Sequence, residues 1–99
     1  MSRVAFMYRM RVKEGREAEY VARCKALHAA VKQSEPDTLY YEFFKLREPG
    51  RYCVVECFAN AAAEEAHMSS AAVAEHGPGI VDCLAEPYTR EALDPFEAP

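Results

Sequence analysis

The chain has 99 residues, enough for one domain that buries about 65% of its unfolded surface without disulfides or metals to hold it. Its 12 Lys and Arg stand against 16 Asp and Glu, a net charge of −4 that excludes the basic stripe of a nucleic-acid binder. No run of about 18 apolar residues is present to span a bilayer, and the arginines within MSRVAFMYRMRV interrupt the apolar core a signal peptide needs, so a cytoplasmic protein is expected.

Cys24, Cys53, Cys57 and Cys83 match no zinc-ribbon spacing, and the middle pair falls in a strand-like run. They read as reduced thiols serving as small hydrophobes. From Arg3 to Val12 the chain alternates, with Val4, Phe6, Tyr8, Met10 and Val12 on one face and arginines on the other, which predicts a first strand. After Lys13-Glu14-Gly15, the spacing of Ala18, Val21, Cys24, Leu27 and Val31 predicts a helix over about 16–32 with one apolar stripe. Glu35-Pro36-Asp37 ends it, because the residue before a proline is pushed out of helical geometry.

Leu39–Leu46 and Tyr52–Phe58 are rich in Tyr, Phe, Val and Cys and flank Pro49-Gly50, the pattern of a β-hairpin. With Leu46 opposite Tyr52, Glu42 faces Glu56 on one side, together with Tyr40, Phe44 and Phe58. The other side carries Tyr41, Phe43, Cys53, Val55 and Cys57. Both faces are apolar, and the chain's own helices can cover only one, which implies a homodimer. Asn60 is suited to cap a helix over 61–68, and Ser69 or Ser70 restarts a helical stretch expected to end at Gly77-Pro78-Gly79. A final strand is expected within 86–93, at an edge because of Pro87. Residues 1–93 thus form a single domain and 94–99 a mobile tail.

The element order βα-ββ-αβ is the split βαβ of a ferredoxin-like α+β fold with a four-stranded antiparallel sheet. In sequence, VKEGREAEY, then EPDTLYYEFFK, then RYCVVECFANAAAEEAHMSS resembles the antibiotic biosynthesis monooxygenase (ABM) domain over about residues 3–93. The most specific part is Glu56-x-Phe58 followed by Glu65-Ala66-His67 and serine. The resemblance implies a dimeric α+β barrel, and relatives that include cofactor-independent monooxygenases of quinols and aromatic polyketides, haem-degrading proteins and isomerases of a phosphorylated sugar. Two positions depart from the family pattern: Ala72 replaces a second histidine, and Phe58 stands where tryptophan is common.

His67 is the first candidate for chemistry, since a helix-borne imidazole facing an apolar sheet can deprotonate a phenol near neutral pH. The anion reacts directly with O2, so no cofactor and no metal is called for. The alternative is a histidine that braces the Ser69/Ser70 turn. Glu56 and Glu42, facing one another, are either an auxiliary carboxylate pair with one raised pKa or part of an ion-pair network with Arg9, Arg11, Lys45 or Arg90. Tyr40, Phe44 and Phe58 are the expected aromatic walls for a small aromatic substrate. Haem degradation is kept as a lesser alternative, since the chain lacks the tryptophan and the first-strand asparagine that the haem-degrading relatives use and the helix is expected to stop just after His76. A phosphosugar isomerase is set aside for want of a Lys/Arg clamp. The remaining alternative is a non-catalytic dimer that binds an apolar small molecule.

Overall fold

The alternation in β1 (Val4–Arg11) places Phe6, Tyr8 and Met10 on one side of a sheet, where all three are buried. The structure is a computed structural model and describes residues 2–96, so part of the expected tail (97–99) lies outside the described residues. Helix α1 (Glu17–Ser34) follows, then β2 (Thr38–Lys45), β3 (Arg51–Phe58), α2 (Ala61–Met68), α3 (Ala71–Asp82) and β4 (Thr89–Leu93). The four strands form one antiparallel sheet in the order β2-β3-β1-β4, the ferredoxin-like arrangement expected. No helix among the described residues is long and apolar enough to cross a membrane.

Helix α1 lies against the sheet through Tyr20, Cys24, Leu27 and Val31. The expected stripe is turned slightly: Tyr20 is buried while Ala18 is exposed, because the Tyr20 ring packs on Tyr52 at 4.8 Å. Its hydroxyl reaches the sulfur of Met10 at 2.9 Å. Cys24, Cys53 and Cys83 are buried free thiols and Cys57 is half-buried. Asn60 caps α2 by accepting from the backbone N–H of Ala63, and Ser70 caps α3 by accepting from that of Val73.

Two expectations are corrected. The β2–β3 loop is tighter than supposed: the Leu46 N–H donates to the Arg51 carbonyl, which places Lys45 rather than Leu46 opposite Tyr52. Pro49 and Gly50 are the central residues of a turn closed by the Arg51 N–H on the Glu48 carbonyl at 3.2 Å. Gly50 takes a φ of +78°, which the third position of such a turn favours in glycine. A one-residue slip moves every side chain of a strand to the other face. Glu56 is therefore opposite Tyr41, and Glu42 is opposite Val55. Tyr41 and Phe43 join Tyr52, Val54, Glu56 and Phe58 on the face covered by the helices. Tyr40, Glu42 and Phe44 fall on the uncovered face with Cys53, Val55 and Cys57. A register shift between Thr38 and Tyr40 then places Thr38, where Tyr40 was expected, opposite Phe58.

The second correction is that α3 does not stop at Gly77-Pro78-Gly79 but runs through all three to Asp82. Pro78 removes one backbone donor, yet Ile80 and Leu84 are buried in the core and hold the segment down. At Gly79 the guanidinium of Arg23 on α1 lies over the helix backbone, where an added Cβ would make this half-exposed side chain swing aside. Arg23 is held in place by Glu19 at 2.8 Å, so α1 and α3 pack closely at this point. The expected break after His76 is thus absent, and with it that part of the case against haem.

Candidate functional site

Between the helix-covered face of the sheet and α2–α3 lies a cavity of about 150 Å³. Its floor is Tyr8, Val54 and Tyr41, its roof Val73 and Ile80, and its two acid–base groups are Glu56 and His67. Where the lining meets solvent stand Met68, Val81 and Tyr88, exposed to 49%, 52% and 45%. Apolar residues half in water at a cavity mouth are what a ligand entrance presents.

His67 arrives there because the Asn60 cap fixes the start of α2 and the imidazole lies two turns on, directed into the core. Only 2% of the residue is exposed. Its Nδ1 lies 2.9 and 3.1 Å from the two carboxylate oxygens of Glu35. A carboxylate has no proton to give, so Nδ1–H donates, and Nε2 is left as the basic nitrogen. Tyr41 meets the ring edge-on at 5.2 Å and Phe58 lies 5.3 Å from it. The brace on His67 is therefore Glu35, at the end of α1, rather than the Ser69/Ser70 turn. Replacing Glu35 with Ala leaves Nδ1 buried without a partner, and a loss of about 1–3 kcal/mol in unfolding free energy is expected by urea titration. A loss within the error of the titration would mean that the pair carries no weight in the fold.

Glu56, on β3, is with His67 one of two buried charged or imidazole side chains among the described residues, and its Oε1 has no hydrogen-bond partner. Burial pushes its carboxyl up to about 8, repulsion from Glu64 and then Glu35 adds to this, and Arg90 opposes it. The carboxyl is thus largely protonated at neutral pH and able to donate. Glu42, the partner expected across the hairpin, plays no part in this. From the edge strand its carboxylate reaches His28 at 3.2 Å and Lys32 at 3.6 Å on α1. Arg90, on β4, bonds Glu64 at 2.9 Å and donates from Nε to the Tyr8 hydroxyl at 3.1 Å, with its guanidinium 3.9 Å above the Phe6 ring.

The sequence candidates are therefore divided among three places. Glu56 and His67 share the inner cavity. Glu42 and Phe44 border a wider hollow of about 470 Å³ between α1 and β2, where the Glu42 carboxylate lies 3.2 Å from His28 Nε2 without hydrogen-bond geometry. Tyr40 lies on the uncovered face at 43% exposure, while Phe58 is fully buried behind His67. Tyr40, Phe44 and Phe58 do not form one wall. The three histidines are also kept apart, each beside a different glutamate: Glu42, Glu35 and Glu75. Glu35 and Tyr8 were not expected at the site. The sequence signal for Glu35 is slight, an acid placed before Pro36 at a helix end.

The chain is a small ferredoxin-like α+β domain in which a buried histidine and a buried glutamate line one cavity under the helices. The model of the antibiotic biosynthesis monooxygenase family matches residues 3–77, and the chain belongs to that family. Among solved structures it is similar to a candidate antibiotic biosynthesis monooxygenase from Caulobacter crescentus, with 26% identity and a TM-score of 0.92 over 97% of this chain and 92% of that one. It also shares its fold with a protein from Mycobacterium tuberculosis, at 18% identity and a TM-score of 0.88 over 97% of each chain. A candidate monooxygenase of the same kind from Nitrosomonas europaea has 16% identity and a TM-score of 0.88, over 95% of this chain and 90% of that one. Among curated proteins no match is found.

Proposed function

We propose that the protein is a cofactor-independent monooxygenase that oxidises an aromatic hydroquinone or phenol with O2. The observation that carries this reading is the placing of the His67 imidazole and the Glu56 carboxyl, both buried, in one largely apolar cavity that opens to solvent at its rim. Family membership and the structural neighbours support a monooxygenase-like role in general. His67 Nε2 takes the proton of a phenolic hydroxyl, with Glu35 holding Nδ1–H and stabilising the imidazolium that forms. The electron-rich phenolate passes one electron to O2, and the radical pair combines to a ring hydroperoxide. Loss of water then gives a hydroxyquinone: one oxygen atom is kept on the ring, the other leaves in water, and the hydroquinone supplies the remaining two electrons. Protonated Glu56 donates a hydrogen bond to the developing oxyanion. Haem does not suit the site, since a cavity of about 150 Å³ does not hold a macrocycle and His76 is not among its lining residues.

The test is oxygen uptake with a panel of hydroquinones and anthrones, with ¹⁸O2 followed into the product by mass spectrometry. Incorporation of one labelled atom per turnover is expected. Saturable binding with no uptake for any compound would assign the binding role instead.

We also propose that the working form is a homodimer joined through the uncovered face of the sheet. Tyr40 and Phe44, exposed to 43% and 45%, stand there beside half-buried Val55 and Cys57, apolar groups set between the charged Glu42 and Arg9 and without cover from their own chain. Sedimentation velocity should give a dimer for the wild type, and Phe44→Glu should shift it toward monomer. A monomeric wild type at tens of micromolar would sink this part of the proposal.

A further inference from the structure

We infer that the His67–Glu56 cavity selects an uncharged, single-ring phenol or hydroquinone, and turns away polycyclic and anionic aromatics. This rests on the reading of the site given above and narrows its substrate.

Size is the first argument. An apolar cavity of about 150 Å³ accommodates a benzene-sized ring, whereas sites for larger ligands run to about 300–1,000 Å³. The volume here, about 150 Å³, is of the first kind. Its walls are regular elements of the fold. The floor is the β1–β3 ladder, in which Tyr8 is opposite Val54 and Phe6 opposite Glu56. The roof is α3, closed down on α1 where Arg23 covers Gly79. Only the rim of Met68, Val81 and Tyr88 opens outward, leaving room for a short apolar substituent on the ring.

Charge is the second. The polar groups facing the cavity are Tyr8 from β1, Tyr41 from β2, Glu56 from β3 and His67 from α2. Behind them stand Glu35, which holds His67, and Glu64, which holds Arg90. Arg90 is the nearby guanidinium, and its contacts to Glu64, Tyr8 and the Phe6 ring occupy it. A ligand carboxylate or phosphate would lose its water, meet two or three acidic groups and find no unpaired guanidinium or ammonium on this lining. A phenolic hydroxyl meets the opposite situation, because Glu56 Oε1 is buried and lacks a hydrogen-bond partner.

The experiment is anaerobic titration calorimetry on the full chain with methylhydroquinone, 1,8-dihydroxyanthrone and 2,5-dihydroxybenzoate, alongside oxygen uptake with the same compounds. Methylhydroquinone is expected to bind at least tenfold more tightly than the other two. Val73→Ala enlarges the roof without weakening α3, and should improve binding of 1,4-naphthohydroquinone at least tenfold over wild type. Equal binding of the anthrone or of the benzoate, or no binding of methylhydroquinone, overturns the inference. Selective binding of the single ring without oxygen uptake keeps the selectivity and removes the monooxygenase reading. Rapid uptake with the anthrone does the reverse.

Discussion

His67→Gln is expected to lower oxygen uptake at least a hundredfold while leaving the fold nearly as stable as the wild type. The two halves of that statement separate a base from a brace. A positioned general base contributes about 10²–10⁴ to a rate, and glutamine has none to offer. Glutamine does have an amide N–H that can reach the Glu35 carboxylate now bonded by Nδ1 at 2.9 Å. His67→Ala is the less informative substitution, since it also leaves Glu35, whose side chain is 13% exposed, without its partner. For Ala a loss of about 3 kcal/mol or more in unfolding free energy is expected beside the loss of activity. Wild-type rates in a well-folded His67→Gln protein would remove His67 from the mechanism. A hundredfold loss with substrate affinity unchanged would locate its effect in the chemical step.

The parts of the fold that were legible in the sequence are those fixed by contacts close along the chain. Alternation from Val4 to Met10, the Asn60 cap and the stripe Cys24-Leu27-Val31 each depend on neighbours a few residues away, and each is found in the structure. The errors arose where distant parts decide. Pro49-Gly50 marks a turn but does not say which residues close it, and the bond from Leu46 to Arg51 shifts the hairpin by one residue. That single step carried Glu42, Tyr40 and Phe44 away from Glu56. Gly77-Pro78-Gly79 has the local chemistry of a helix stop, but packing of Ile80 and Leu84 into the core and of Arg23 over Gly79 outweighs it. The pairing of His67 with Glu35 spans 32 residues and has no local signature. The candidate site was thus half visible: its two titratable groups could be named, while the group that orients one of them could not.

Glu56 should make the protein less stable as pH rises from about 5 to 8, the opposite of what most carboxylates do. In the unfolded chain its carboxyl ionises at the ordinary value of 4.5, whereas in the fold burial pushes it to about 8. Between those values the folded state holds a proton that the unfolded state has released, so stability falls with pH by about 1.4 kcal/mol per unit. The contribution is complete below pH 4.5 and gone above about 8, a loss on the order of 5 kcal/mol where domains have about 5–15 in all. Glu19 behaves in the opposite sense: its contacts with Arg16 and Arg23 pull it down to about 2, so its contribution disappears only on acidification below 4.5. The two windows do not overlap, and the three histidines, common to both proteins, cancel when wild type is compared with a Glu56 variant. Glu56→Gln keeps the shape and a donor but cannot ionise, and its melting temperature should fall less than that of the wild type from pH 5 to 8. Near pH 8 it should exceed the wild type by at least about 5 °C, given that about 1 kcal/mol moves a domain of this size by 4–8 °C. Parallel declines in the two proteins would mean that the pH dependence lies elsewhere and that Glu56 ionises in the fold as it does in water. The same variant also bears on the ligand. If Glu56 acts at the site as a protonated donor, Glu56→Gln should hold methylhydroquinone within about threefold of wild type at pH 7, since an amide N–H replaces the carboxyl O–H. At pH 9 the wild type, with Glu56 ionised, should bind it more weakly than Glu56→Gln does.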